Sequence, residues 1–225
     1  MAAVTTLYRY RNLAGDGFRF AQDIFLRNRL FWPFHSQLND PAEGIYKDLV
    51  RLVQSSGGRW YAPAAPLKRP DMDVRVLSFS EDPKHPLMWS HYANAHRGIC
   101  IGFRRDFFTG VLRVRYPQRI PRLDLGWPVE KKRAVAFLTK REAWAYERER
   151  RLVDSDNRFS EQPHVTLEPN TITQVIFGER TLQDDREWVF EWLRLSKCRA
   201  STQRVRFSGV RARLHVEKFT ERDKW

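Results

Sequence analysis

The opening segment TTLYRYR alternates apolar and polar residues, which predicts a strand, and GFRFAQDIFLRN then places Phe18, Ala21, Ile24 and Phe25 at helical spacing. RLFWPF reads as a short apolar strand whose Pro33 puts its end at a sheet edge. In QLNDPAEG, Asn39 and Asp40 suit a turn, Pro41 suits the first helical position and the Glu43 carboxylate complements a helix dipole, so a helix is expected from there to about Gln54. GGRWYAPAAPLKRP, rich in Gly, Pro and Ala, reads as a long surface loop near 56–72 rather than as a domain boundary.

VRVLSFS reads as a buried strand, LMWSHYANAH as a helix ending near Gly98, GICIGF as a second apolar strand and VLRVRY as an alternating one. QRIPRLDLGWP makes a second loop near 117–128, followed by a helix from Val129 through Trp144. ERERRLV is open between strand and helix. TITQVIFG is a strand, LQDDREWVFEWLRL an amphipathic helix, and VRFSGVRARLHVEKF one or two closing strands. Strands outnumber the helices available as crossovers, and several are hairpin-like, so the expected class is α+β in a single domain over 1–225.

Composition narrows the partners. The chain has 225 residues, 42% of them hydrophobic, with eight Trp and fifteen Phe to fill a core. It has no apolar run of about eighteen residues, and MAAVTTLYRYRN lacks an apolar segment after its charges, so no membrane is expected and the cytoplasm is the expected location. Cys100 and Cys198 lie far apart without ligands at metal spacing, so neither a disulfide framework nor a bound metal is expected. The net charge of +13, mostly arginine, attracts polyanions. Arginine binds phosphates bidentately and stacks on bases, which points to nucleic acid, a phosphorylated metabolite or a dinucleotide. Solvated strand faces would give the same charge, so charge alone names no substrate.

Four clusters can carry chemistry. In LYRYR, Tyr8 and Tyr10 share one strand face and Arg9 and Arg11 the other; an arginine entering a cleft can hold a diphosphate, and the tyrosines offer stacking surfaces. In SFSE, Ser78 and Ser80 share a strand face and can fix a ribose or support a carboxylate, or simply satisfy the turn at Asp82-Pro83. In MWSHYANAH, His91 and His96 do not share a helix face, so a zinc site with Cys100 is poorly supported, and Trp89 packing against the serine strand is the alternative. In WAYERERR, an extended backbone would align Glu147, Glu149 and Arg151 on one face, whereas a helix would leave a routine pair of Glu147 with Arg151.

Together these stretches resemble a bacterial family of unknown function, numbered 2971, through LYRYR, NDPxE, SFSE, MWSHYA, HxGxCIGF and KxxxWxYExER; Ala42 replaces the large apolar residue expected in the second. The order arginine strand, Ser-x-Ser strand, E-x-E strand also resembles the R-S-E group of ADP-ribosyltransferases. That resemblance implies two small, mainly antiparallel sheets with flanking helices, split around an NAD cleft. It implies NAD as the substrate cofactor, Arg9 as its phosphate ligand, Ser78 and Ser80 as the serine motif, Glu149 as the catalytic glutamate and Glu147 as its partner. Tyr8, Tyr10 and Tyr92 would then stack on the nicotinamide or adenine. Phe79 stands where that group usually has threonine, and Glu81 follows the motif directly.

The leading expectation is therefore an NAD-dependent ADP-ribosyltransferase modifying a nucleic acid or protein acceptor, with a toxin or phage-defence role by analogy. A non-catalytic nucleic-acid or nucleotide-binding module using VLRVRY and VRARLHV is one alternative. A metal-dependent nuclease using Asp40, Glu43, Glu147 and Glu149 is another, although no lysine separates the last pair. The charge of +13 predicts retention on a heparin column that collapses as salt rises, because neutralised phosphates release counterions. Retention unchanged between low and high salt would refute polyanion binding.

Overall fold

Strand-forming segments collect into one mixed sheet. Its members are β1 (Thr6–Arg11), β2 (Val76–Ser80), β3 (Ile99–Arg104), β4 (Leu112–Arg113), β5 (Glu149–Val153), β6 (Ile172–Phe177), β7 (Ser201–Ser208) and β8 (Arg213–Lys218). The computed structural model describes residues 4–49, 53–54, 60–61, 67–68, 74–124, 126–156, 158–159, 161–209 and 213–219. Across the sheet the order is β8-β7-β6-β3-β1-β2-β5-β4. Every neighbouring pair is antiparallel except β6 and β7, which run parallel. Among the described residues four α-helices complete the α+β fold: α1 (Asp16–Leu26), α2 (Pro86–Tyr92), α3 (Val129–Phe137) and α4 (Gln183–Leu195).

The two-residue strand period sorts side chains onto two faces. On one, Leu7, Leu77, Phe79, Ile101 and Phe103 pack with Ile24 and Phe25 of α1 and Trp192 of α4. On the other, Tyr10, Cys100, Ile176 and Val205 pack with Met88 and Trp89 of α2. Trp89 is wholly buried, stands edge-on to Tyr10 at 5.1 Å and donates its Nε1 hydrogen to the Pro83 carbonyl at 2.8 Å.

The centre of the sheet is asymmetric. β1 pairs with β3 from Thr6 to Arg11, but among the described residues its pairing with β2 is confined to Tyr8 opposite Ser80. β2 in turn pairs with β5 along its whole length. The two wings of the sheet are therefore stitched at one point and leave a gap beside it. The expectation of two small sheets is corrected accordingly: one eight-stranded sheet forms, because β1 offers hydrogen-bonding edges to both wings.

Other expectations also change. The segment expected as a helix to Gln54 instead turns at 41–44 and forms the strands Tyr46–Leu49 and Val53–Gln54. Gly44 breaks the helix with φ of 71°, and a Cβ there would lie 2.6 Å from the Phe137 ring. Tyr46–Leu49 gains backbone partners far away, parallel to Arg122–Asp124 and antiparallel to Leu67–Lys68. Arg122–Asp124 lies inside the second expected loop; most of the first, near 56–72, falls outside the described residues. The helix expected to reach Trp144 stops at Phe137, where Arg115 captures the Leu138 carbonyl, and a 3-10 turn, Glu142–Glu147, follows. The short strand His164–Thr166, paired with Arg29–Phe31, carried no clear sequence signal.

Among the described residues no helix is long and apolar enough to cross a membrane. Trp89→Ala is expected to cost about 3–5 kcal/mol, as for large buried aromatics, read as a lower urea midpoint. A loss under about 1 kcal/mol would show that α2 is not anchored through this ring.

Candidate functional site

The gap between β1 and β2 opens into a cleft of about 450 Å³. That is within the range of about 300–1,000 Å³ typical of small-molecule sites. Tyr8, Arg9, Tyr10, Ser78, Ser80, Tyr92, Glu147 and Glu149 all line it, although their motifs are spread from the first strand to β5. Arg11, Phe20, Phe31, Asn39, Lys140 and Arg151 line it too.

Arginine dominates one wall. Arg9 donates from Nη1 to the Ser78 carbonyl at 3.0 Å, bridging the gap between β1 and β2. Among the described residues neither Arg9 nor Arg11 has a carboxylate at ion-pair distance, and the Nε of each is shielded from water without a partner. Burial and then the Arg11 guanidinium hold Arg9 well below the ordinary arginine value, with Glu149 pulling the other way. Burial lowers Arg11 to about 10. Both remain cations near neutral pH, so the lowering expresses an electrostatic cost that an anion would relieve. Beside them Phe20 and Phe31 stack at 5.2 Å, and Phe20 keeps 41% of its surface exposed.

A buried ion network forms another part of the lining. Arg151 donates to both Glu43 oxygens, at 2.8 and 2.6 Å, and its Nη2 stands 2.6 Å from Glu149 Oε2. Lys140 Nζ donates to Glu147 Oε2 at 2.6 Å and lies 3.7 Å from Glu43 and 3.9 Å from Glu149. Tyr92 Oη donates to Glu147 Oε1 at 2.5 Å and accepts from Asn39 Nδ2 at 2.7 Å. The Glu149 backbone N–H donates to Tyr116 Oη at 2.7 Å. Three carboxylates face two cations, which leaves one surplus negative charge on this wall.

The backbone explains how E-x-E works without being a continuous strand. Glu147 ends the 3-10 turn, Arg148 takes a left-handed φ of 48°, and β5 starts at Glu149. That left-handed residue turns both glutamates into the cleft and sends the Arg148 side chain outward to Glu81. A left-handed conformation in a non-glycine residue costs about 1–2 kcal/mol and persists where surrounding contacts over-determine it. Here the buried carboxylates on either side supply those contacts.

The serines and tyrosines divide their roles. Ser80 Oγ donates to the Glu147 backbone carbonyl at 2.7 Å, so it braces the main chain and not the carboxylate. Ser78 Oγ is shielded from water without a partner and faces the cleft. Tyr10 forms part of the wall, but its ring is buried against Trp89 and its hydroxyl donates to the Asp82 carbonyl at 2.7 Å. Tyr8 and Tyr92 are half-buried, with ring surface on the cleft. Burial and then the Glu147 carboxylate push the Tyr92 phenol above its ordinary value.

The histidines stay outside this chemistry. His91 is exposed, His96 stacks at 6.2 Å on Trp89, and Cys100 is buried on β3 with its thiol pushed up by burial. Among the described residues no three His, Cys, Asp or Glu side chains are grouped to hold a metal. The carboxylates that a nuclease would need, Glu43, Glu147 and Glu149, are engaged by Lys140 and Arg151, while Asp40 accepts the Ala42 N–H.

Sequence reasoning named Glu43 only for the nuclease alternative and missed Lys140, although both sit inside quoted motifs. Their partners are remote: Glu43 reaches Arg151 across 108 positions. Arg11 and Phe20 had a signal, in the shared strand face with Arg9 and in an apolar helix position turned to solvent.

Comparison of the chain with protein-family models, with curated proteins and with solved structures returns no match. The resemblances therefore rest on the motifs alone.

Burial and then the Glu149 carboxylate raise Glu147 above the ordinary carboxyl range, against the pull of Lys140. A raised carboxyl holds its proton more tightly in the folded chain, so its stabilisation is present below about pH 4 and is lost as pH rises through the raised value. The stability of the wild type relative to Glu147→Gln, which cannot ionise, should therefore fall between about pH 4 and 7. Urea midpoints at both pH values measure it, and a relative stability that grows with pH would show that the Lys140 pair outweighs burial.

Proposed function

We propose that this protein binds NAD in the cleft between β1 and β2, cleaves the nicotinamide glycosidic bond and transfers ADP-ribose to a macromolecule. One observation carries the reading. Two half-buried arginines that have no carboxylate at ion-pair distance among the described residues line the same cleft as a glutamate cluster with one surplus negative charge. NAD has the matching polarity, with an anionic diphosphate and a cationic nicotinamide ring.

In this reading Arg9 and Arg11 hold the diphosphate, and the Phe20–Phe31 stack receives the adenine beside it. Tyr8 and Tyr92 flank the nicotinamide ribose. Glu149 stabilises the positive charge that develops at the sugar C1′ as the nicotinamide departs with the bonding electron pair. Glu147, held by Tyr92 and Lys140, accepts the proton of the attacking nucleophile. Ser78 Oγ offers its unused hydrogen-bonding capacity to the ribose. The arginine strands and the charge of +13 favour an acidic acceptor.

Purified protein incubated with NAD should release nicotinamide, measured by chromatography. Glu149→Gln should reduce the rate about 10²–10³-fold, as for loss of one preorganised electrostatic group, measured at a temperature where circular dichroism shows the variant folded. Arg9→Ala should chiefly weaken NAD binding. NAD that binds but is never cleaved, whatever acceptor is added, would identify a nucleotide-binding module. An absence of both binding and cleavage would end the proposal.

A further inference from the structure

The glutamate wall continues outward into a row of rings on the surface. His85 stacks on Tyr146 with centroids 5.2 Å apart and planes at 24°. Tyr146 neighbours Trp144 at 6.1 Å and 36°, and His91 at 6.4 Å and 37°. His91 then meets Tyr92 edge-on at 6.4 Å. Trp144, Tyr146 and His85 are half-buried and His91 is exposed, so each keeps ring surface in water. The row joins the cleft at two points: Tyr146 immediately precedes Glu147, and Tyr92 donates its hydrogen to the Glu147 carboxylate.

Local folding explains the row. Pro86 starts α2 directly after His85, which turns the His85 ring across to the 3-10 turn. That turn presents Trp144 and Tyr146 on the same side. Tyr146 also packs against the core that Met88 and Trp89 fill, and one face of Trp144 covers Lys140 Nζ at 4.4 Å. Charges around the row are of both signs, and the cations are the more exposed. Within 81–97 and 141–148 the exposed charged residues are Lys84, Arg97, Arg141, Arg148 and the lone acid Glu142. Half-buried Glu81 and Asp82 lie against Arg148.

We propose that this aromatic row, bordered by Lys84, Arg141 and Arg148, docks single-stranded nucleic acid and delivers a base to Glu147 as the ADP-ribose acceptor. The inference rests on the NAD-cleavage reading for the transfer step but not for docking. Separated bases have flat faces for His85, Tyr146 and Trp144, and their phosphates suit the cationic border; a duplex hides its base faces. In the transfer, a nucleophilic nitrogen of the base forms a bond to C1′ of the ribose. The bond from C1′ to nicotinamide breaks, nicotinamide leaves with that electron pair, and the nitrogen's proton passes to Glu147. NAD is the co-reactant, and no oxidant or reductant is consumed.

Docking is tested without NAD, by fluorescence anisotropy of labelled single-stranded DNA and RNA 12-mers and of the corresponding duplexes. Single strands should bind more tightly than duplex, and His85→Ala and Trp144→Ala should each weaken that binding about ten- to a hundredfold, with both variants folded by circular dichroism at the assay temperature. Transfer is tested with labelled NAD, where the label should appear on the single strand in wild type and fall in His85→Ala, which leaves acceptor-free nicotinamide release unchanged. Duplex and single strand bound alike, with both variants binding as the wild type does, would overturn the docking site. Label carried by a protein and never by an oligonucleotide would overturn it in favour of a protein acceptor. Ring-dependent binding without nicotinamide release in any sample would uphold docking while removing the NAD reading.

Discussion

The buried cluster of Glu43, Glu147, Glu149, Lys140 and Arg151 ties together every segment that forms the cleft floor. Its members come from the turn after Asn39, the link between α3 and the 3-10 turn, the end of that turn, and β5. Each ion loses hydration worth several kcal/mol, which mutual attraction offsets only when the geometry is good. The bidentate contact of Arg151 with Glu43 provides that geometry, and the Phe137 carbonyl adds a further acceptor to Arg151 at 2.8 Å. Removing one member would strand a buried charge and cost about 3–5 kcal/mol. The cluster is thus a constraint on conformation more than a source of net stability: it pins the turn at Gly44, the left-handed Arg148 and the start of β5 relative to one another.

Two imbalances of charge remain after folding, and they have opposite signs. The glutamate wall carries one surplus negative charge, and the arginine wall carries two cations without acid partners among the described residues. A protein under selection for stability alone would bring these groups together, since both pay desolvation. Instead both sets line the cleft beside the single stitch between β1 and β2. Stored electrostatic cost of this kind is a property of binding sites, where a ligand of matching polarity relieves it.

Backbone strain lies in the same region. Arg148 is left-handed between the two glutamates, and Asn94, Ala95 and His96 all have positive φ, at 48°, 51° and 69°, in the turn that follows α2. Gly98 and Gly178 allow that turn to pack, since a Cβ on Gly178 would lie 2.1 Å from the His96 carbonyl oxygen. The strained turns bound the two segments that carry the aromatic row and the glutamates.

Local chemistry was legible wherever an element answers to its own residues. The alternation of LYRYR, the helical spacing of Phe18, Ala21, Ile24 and Phe25, and the apolar run GICIGF all became the elements expected of them, because each buries a face that its own period defines. Motif residues from four separate segments were also readable as candidates, since Arg, Ser, Tyr and Glu at strand spacing carry recognisable chemistry. Long-range pairing was not readable. Glu43 looked like a helix-starting carboxylate, and only the Arg151 guanidinium, brought close by tertiary folding, drew it into the buried network and left Tyr46–Leu49 to form a strand. Whether β1 would pair fully with β2 or at one point was equally invisible, because register is set by side chains packed on both faces of both strands. The sequence by itself determined the class of the elements and the identity of the reactive groups. The tertiary structure decided that these groups meet, with their charges unbalanced, because burial energies depend on partners that lie more than a hundred positions away.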